Sequence, residues 1–175
     1  DWDSVYGKYV QGKELLRQKN YRNAEEKFEA CLRDNPYFIP ALTNMSMLML
    51  RRLDFQKALA YTRTALSVNT YDPAANYYYA IANLNLGHII DAKDGFDVAA
   101  ASVEYRSAAF TQLAQIYFNE KSFQKALNYA QKSLDYNRLN MEARQLEAVI
   151  YRVLNNKELA AKKIDQILAI DPLNH

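Results

Sequence analysis

Apolar residues recur at helical spacing along almost the whole chain. In the stretch 12–36, GKELLRQKNYRNAEEKFEACLRDNP, Phe28 and Leu32 follow Ala24 at intervals of four, which places them on one face of a helix. Only four Gly and four Pro interrupt this pattern, and no alternating strand pattern competes with it. The sequence therefore predicts an all-α protein with short turns.

The pattern of residues 12–36 repeats along the chain. An alanine returns at a constant interval, with a small residue 12 positions before it and a large apolar residue three positions before it in all copies but one, where Lys157 stands. The five alanines are Ala24, Ala58, Ala92, Ala126 and Ala160, which defines a 34-residue period. We expect one array over residues 1–175, with two-helix units at 5–38, 39–72, 73–106, 107–140 and 141–174.

Proline and glycine mark several predicted helix boundaries. Asn35-Pro36 ends a helix because the residue before proline is pushed out of the α region. Asp72-Pro73 combines a capping residue with a proline in the first turn and opens a helix. Gly95 is less expected inside a helix, where glycine costs about 1 kcal/mol relative to alanine. We expect residues 92–105 to be the weakest segment of the array.

Composition and charge exclude several classes of protein. The 22 Lys+Arg and 20 Asp+Glu give a net charge of +2, with no run of five like charges, so a nucleic-acid surface is not indicated. No stretch approaches the roughly 18 apolar residues of a membrane helix. One cysteine, Cys31, and two histidines are too few for a disulfide or a His/Cys zinc site. We expect no metal, no cofactor, and neither a membrane nor a nucleic acid as partner.

Catalytic motifs are also absent from the sequence. It contains no Gly-rich phosphate loop, no His-based metal motif and no Gly-x-Ser-x-Gly turn. Cys31 takes a small-residue position of the helical core, which favours an inert buried thiol. We expect no enzymatic activity. Because the chain begins at Asp1 without an initiator Met, we expect a fragment of a longer protein, and no compartment is indicated.

The period, the two-helix unit and the residues at fixed positions resemble the tetratricopeptide repeat family. Its signature of small residue, aromatic, alanine, aromatic, small residue and proline is carried in the first unit by Gly12, Tyr21, Ala24, Phe28, Cys31 and Pro36. The departures are Lys157, Thr62, Ala130 and Ile167 within units, and Thr70, Glu104 and Arg138 in place of the closing proline. The resemblance covers almost the whole chain. The strict period favours it over the RNA-reading pentatricopeptide class, whose repeat is one residue longer.

The resemblance implies a right-handed α-α superhelix of about ten antiparallel helices, in which the first helices of the units line a concave groove that binds a peptide or protein segment. The groove positions of the family correspond here to Tyr6, Tyr9, Lys13, Arg17, Thr43, Asn44, Met47, Arg51, Tyr77, Tyr78, Ile81, Asn85, Thr111, Gln115, Phe118, Asn119, Gln145, Val149 and Arg152. We expect Tyr9, Tyr77, Arg17 and Arg51 to be the main anchors, because aromatic and arginine side chains dominate many interfaces.

Other functions stay open beside this scaffold. Chaperone-binding members of the family hold a terminal carboxylate with a clamp of two Lys, one Arg and two Asn, of which only Asn44 is matched here, so we do not expect that ligand. One alternative is a non-catalytic accessory domain of a larger enzyme, such as a carbohydrate-related bacterial one. Another is self-association through the last helix, whose aliphatic residues suggest a contact surface. These residues are Leu159, Ile164, Ile167 and Ile170.

Overall fold

The computed structural model describes residues 1–154 and 157–173, with side chains described in 1–154 and 159–173. Within these ranges it contains ten helices and no strand: α1 (Val5–Arg17), α2 (Tyr21–Asp34), α3 (Ile39–Arg51), α4 (Phe55–Val68), α5 (Pro73–Asn85), α6 (Ile89–Ala99), α7 (Val103–Asn119), α8 (Phe123–Tyr136), α9 (Met141–Val153) and α10 (Lys157–Ile170). The side chain of Lys157, a predicted departure from the repeat, lies outside the described part of the chain.

The helix boundaries follow the period of the sequence. The second helix of each pair begins exactly one period after the previous one, at Tyr21, Phe55, Ile89, Phe123 and Lys157. The first helices keep the same frame at Val5, Ile39, Pro73 and Met141. Five helix pairs at the predicted spacing confirm the all-α repeat fold.

A residue in the left-handed backbone region joins the two helices of each of the first four pairs. These residues also follow the period of the repeat: Lys19 (φ 60°), Leu53 (φ 60°), Gly87 (φ 82°) and Lys121 (φ 63°). In the first pair, the backbone N–H groups of Lys19 and Asn20 donate to the carbonyls of Leu16 and Leu15. The last carbonyls of α1 are thereby satisfied. Only Gly87 has the residue type that this backbone favours, so the period predicts these turns better than residue type does.

A side-chain hydrogen bond shapes three of the four joints between successive pairs, and the same turn follows α10. The carboxamide or carboxylate oxygen that follows the second helix accepts the backbone N–H two residues further on, at 3.1 or 3.2 Å, which forms an Asx turn. The four acceptors are Asn35, Asn69, Asn137 and Asp171. This turn explains why Thr70 and Arg138 can replace the closing proline without changing the frame.

The joint between α6 and α7 is the exception. Val103 occupies the position of the Asx residue, cannot form the turn, and instead begins α7 four residues before the predicted unit boundary at 107. The helix therefore extends beyond the predicted unit at this joint, because neither an Asx turn nor a proline stops it, and the unit boundary itself stays a prediction. The guanidinium of Arg106 donates to the carbonyls of Ala100 and Ala101, both at 2.8 Å, and holds the short link in place.

The chain divides into two compact units, residues 1–95 and 96–175. The prediction of a single array over residues 1–175 stays a prediction.

In the first unit the core forms where helices cross at small residues. A Cβ on Gly12 would lie 2.5 Å from Cε1 of the fully buried Phe28. Cys31 is buried in the same core, donates its S–H to the carbonyl of Val5 at 3.2 Å, and has its pKa raised by burial.

The second unit combines an apolar core with a buried polar cluster. The apolar residues are Ala114, Ala126, Leu127, Ala130, Leu146 and Ile150. Beside them, the amide nitrogen of Asn140 shares its two N–H donors among the hydroxyls of Ser107 (3.0 Å), Thr111 (3.0 Å) and Ser133 (3.2 Å). Asn140 also caps α9 by accepting the N–H of Ala143. One side chain therefore ties the start of α9 to both helices of the preceding pair.

Gly95 is required by packing and is not a defect of its helix. A Cβ at this position would lie 2.9 Å from both Cβ of Ala80 and the carbonyl oxygen of Asn76, and 3.2 Å from the ring of Tyr79. No side chain fits at these distances unless α5 or α6 shifts. The helical cost of glycine is thus offset by the close approach of the two helices.

Replacement of Gly95 by alanine tests this packing. Helix propensity alone predicts a gain of about 1 kcal/mol, but the forced overlap should lower the free energy of unfolding by about 1–3 kcal/mol. Chemical denaturation measures the change, with the exposed neighbour Asp94→Ala as the control, expected within about 0.5 kcal/mol of the wild type. A more stable Gly95→Ala protein would contradict the packing argument.

Replacement of Asn140 by alanine tests the polar cluster. The variant loses a helix cap and leaves buried hydroxyls short of a donor, so we expect a loss of about 2–3 kcal/mol. Asn20→Ala is the matched control, since the Asn20 side chain caps α2 through the N–H of Asn23. Its loss should be about 1 kcal/mol. Equal losses in the two variants would show that the cluster adds nothing beyond the cap.

Candidate partner-binding face

Packing leaves one open stripe on α3. After its first residue, every position of this helix is buried except Pro40, Asn44, Met47, Leu50 and Arg51. These positions recur every three to four residues, so they lie on one side of the helix. The rest of its surface is covered by neighbouring helices, which makes α3 a rigid support for this stripe.

The equivalent positions of the next unit are open on α5: Ala74, Tyr78, Ile81 and Asn85. Because α3 and α5 contact each other directly, the two stripes lie side by side. We call the surface formed by Asn44, Met47, Arg51, Tyr78, Ile81 and Asn85 the α3–α5 face. These six residues all belong to the predicted groove, and the structure brings them together.

The α3–α5 face is apolar in its middle and polar at its ends. Met47 and Ile81 are half-buried at the centre, with Arg51 and Asn85 exposed at the end where both helices stop. The guanidinium carbon of Arg51 lies 4.0 Å from the centre of the Tyr21 ring. Neither α3 nor α5 contains an Asp or Glu. The face therefore carries a cation without an acidic residue on the same two helices.

The predicted residues of α1 differ in how accessible they are. Tyr6 and Lys13 are exposed. Tyr9 is half-buried, with its ring centre 6.1 Å from that of Phe28 and 5.5 Å from that of Phe38. The pKa of the Tyr9 phenol is raised, because burial raises it more than the hydrogen bond with Asn44 lowers it. Tyr9 thus contributes to the core as well as to the surface.

Arg17 is already engaged within its own helix. Its Nε and Nη2 donate to the two carboxylate oxygens of Glu14 at 2.9 and 2.6 Å. These bonds lower the pKa of the Glu14 carboxyl to about 2. Arg17 therefore has fewer N–H donors available to a partner than its exposure suggests. We expect it to contribute less to binding than the sequence predicts.

Two predicted groove residues point into the protein. Thr43 is 6% exposed and donates to the carbonyl of Pro40, and Thr111 is 1% exposed and bonds to Ser133. Their side chains present almost no surface to a partner. Tyr77, by contrast, is half-buried and meets the ring of Tyr78 edge-on at 5.8 Å.

In the second unit, the predicted residues form two small groups. Gln115 donates to Asn119 at 3.0 Å on α7, and Phe118 packs edge-on against Phe123. On α9, the residues at the predicted groove positions line a pocket of 230 Å³ that faces α10. They are Gln145, Val149 and Arg152. Their place in a binding groove stays a prediction.

The apolar residues of α10 are less exposed than the sequence suggests. Ile167 is only 5% exposed, and Ile164 is half-buried beside it in the pocket against α9. Leu159 and Ile170 remain exposed. Ile167 packs within the chain, so it is not part of a self-association surface, and self-association through the other residues stays a prediction.

Sequence reasoning did not find two further open side chains, Tyr37 and Tyr71. Both are exposed, and each follows a repeat joint in which Asn35 or Asn69 accepts its backbone N–H. The signal was present in the sequence as Asn-x-Tyr, repeated one period apart. The Asx turn fixes the backbone of both tyrosines, which makes them firm surface features.

Other kinds of site are not evident in residues 1–154 and 157–173. No cluster of three His, Cys, Asp or Glu side chains suited to a metal ion occurs there. None of the helices in those ranges has the length and apolar character needed to span a membrane.

Fold and surface together define an α-helical repeat protein built from helix pairs. Residues 111–175 match the tetratricopeptide repeat family. That match and the fold confirm the resemblance to tetratricopeptide repeat proteins. A search of curated protein sequences gives no match.

Solved structures agree with this fold. PilW, a widely conserved type IV pilus biogenesis factor, has a TM-score of 0.84 at 22% identity, covering 100% of this chain and 81% of PilW. PilF of Pseudomonas aeruginosa has a TM-score of 0.84 at 18% identity, with 94% and 75% covered. YrrB, a tetratricopeptide repeat protein with an unusual peptide-binding site, has a TM-score of 0.73 at 16% identity, with 99% and 90% covered. These similarities concern the fold.

An NMR titration of the Glu14 side chain tests whether Arg17 is held by its neighbour. We expect a midpoint near pH 2 instead of the ordinary 4.5. Because the pKa is lower in the folded state, the pair stabilises the fold above about pH 4.5, and this contribution is lost as the pH falls towards 2. In the Arg17→Gln control the midpoint should return towards 4.5. A wild-type midpoint near 4.5 would show that Arg17 is not held.

Proposed function

We propose that the chain is a protein-interaction scaffold that binds a peptide or protein segment on the first helices of its pairs, with the α3–α5 face as part of the binding surface. The observation that carries this proposal is the open stripe of α3, a largely buried helix, beside the open side of α5. A stripe of this kind is a preorganised surface, because the helix backbone that carries it loses little freedom on binding.

The composition of the face supports binding of a protein segment. Met47 and Ile81 supply apolar contact area, and Asn44, Asn85 and Tyr78 are polar side chains around it. The amide nitrogens of Asn44 and Asn85 also donate to the carbonyls of Pro40 and Ile81 in their own helices. An apolar centre with a polar rim is the usual anatomy of a protein interface. The peptide-binding site of YrrB, which shares the fold, is in keeping with this reading.

We further propose that the chain is not itself catalytic and is not a clamp for a terminal carboxylate. The lone cysteine is buried in the helical core, with its pKa raised by burial, which opposes a role as a nucleophile. At the positions of the carboxylate clamp, Tyr9 packs into the core and Thr43 is buried. Lys13 and Asn44 alone do not provide the paired cations that such a ligand needs.

Peptides selected from a random displayed library against the chain test the proposed surface. The double variant Met47→Gln and Ile81→Gln should weaken their binding by about tenfold or more, since it removes two apolar contacts from the face. Fluorescence anisotropy of labelled peptides measures the dissociation constant, and circular dichroism checks that the variant is folded.

The matched control is the double variant Val68→Gln and Ile90→Gln. These two aliphatic residues are exposed on α4 and α6, away from the α3–α5 face. The control should bind the selected peptides within about twofold of the wild type. Peptides that bind the face variant as tightly as the wild type would refute the proposed surface.

A further inference from the structure

We infer that the ligand of the α3–α5 face is an acidic amphipathic segment, whose apolar side chains lie on Met47 and Ile81 and whose Asp or Glu carboxylate binds Arg51. This inference rests on the function proposed above and specifies the chemistry of the partner.

The charges around the face favour an acidic ligand. On α1, α3 and α5 the only acidic residue is Glu14, which Arg17 already holds. Lys13 and Arg51 have no ion pair among the described residues. Asp72 caps α5, and its carboxylate accepts the N–H of Ala75 at 2.8 Å. The open side of these helices therefore has positive charge that its own acids do not neutralise.

Arg51 is positioned to receive a carboxylate. Its guanidinium lies against the ring of Tyr21, with 4.0 Å from the guanidinium carbon to the ring centre. Such stacking covers one flat side of the group and leaves the N–H donors along its edge available. A guanidinium held in one orientation can donate two parallel hydrogen bonds to a carboxylate, which is the strongest arrangement of this pair.

The neighbouring Arg52 provides an internal contrast. Its Nη1 donates to Glu25 at 2.9 Å, and its Nη2 contacts the other carboxylate oxygen of the same residue. Arg52 is thus neutralised by the preceding helix pair, whereas Arg51 is not. Two adjacent arginines with the same charge therefore differ in what they can offer to a ligand.

The spacing of the face predicts the pattern of the ligand. Met47 and Arg51 are four residues apart, which corresponds to about 6 Å along a helix. An acidic side chain of the ligand should lie at about this distance from its apolar anchor. That distance is one turn in a helical ligand, or about two residues in an extended one.

The test examines the composition of peptides selected on the wild-type chain from a random displayed library. We expect enrichment of Asp and Glu over the starting library, at one helical turn or two extended residues from a large apolar residue. Binding of these peptides should weaken about tenfold in Arg51→Gln and stay within about twofold in the control Arg52→Gln. Raising the salt concentration should weaken binding to the wild type more than binding to Arg51→Gln.

The outcomes separate this inference from the proposed function. Selected peptides that lack acidic enrichment but depend on Met47 and Ile81 would overturn the acidic ligand and leave the face as the binding surface. Equal losses in Arg51→Gln and Arg52→Gln would show a general charge effect and overturn the assignment of Arg51. Binding that depends on neither Arg51 nor the apolar pair would refute both proposals. Circular dichroism and thermal melting establish that each variant is folded.

Discussion

Close contact between helices at small residues is the constraint on which the structure depends. The alanines that recur once in every period, from Ala24 to Ala160, are at most 2% exposed. Gly12 meets the ring of Phe28 and Gly95 meets α5 at distances that leave no room for a side chain. Helices that approach this closely bury much apolar area per residue and tolerate little variation at the contact. The repeat in the sequence reflects this requirement for a small residue at each close contact between helices.

This packing also determines which side chains remain open to a partner. A helix such as α3, which is covered by its own partner and by both neighbouring pairs, keeps only one stripe open. Side chains there keep part of their surface open, so they can contact a partner even where, as with Met47, they also pack against the core. Met47 and Arg51 illustrate the division, because each lies within two residues of Leu48 or Met49, which are buried in the core.

Much of the arrangement of helix pairs could be predicted from the sequence, because it depends on residue type at fixed positions. The helix pairs, the small residues at the crossings and the burial of Phe28 all follow from the period of the repeat. The early start of α7 required knowing that Asn35, Asn69 and Asn137 form the joint, so that Val103 could be recognised as the residue that breaks it. The packing role of Gly95 was equally hidden, since propensity describes a helix in isolation and not its distance from a neighbour.

The surface was harder to predict than the frame. Positions carried over from a family identify a face, but they do not show which side chains already have partners. Thr43 and Thr111 are buried, with their hydroxyls bonded to Pro40 and Ser133, and the ring of Tyr9 packs against Phe28 and Phe38. The pairing of Arg17 with Glu14 could have been anticipated, because residues three apart are neighbours on a helix.

Methyl NMR of the methionines offers the most direct test of the α3–α5 face as a binding surface. The chain has four methionines. Met45 and Met49 are buried in α3, Met47 is half-open on its stripe, and Met141 lies in the second unit. Addition of a selected peptide should shift the Met47 methyl signal most and leave Met141 unchanged. A titration that saturates with no shift of Met47 would contradict the account.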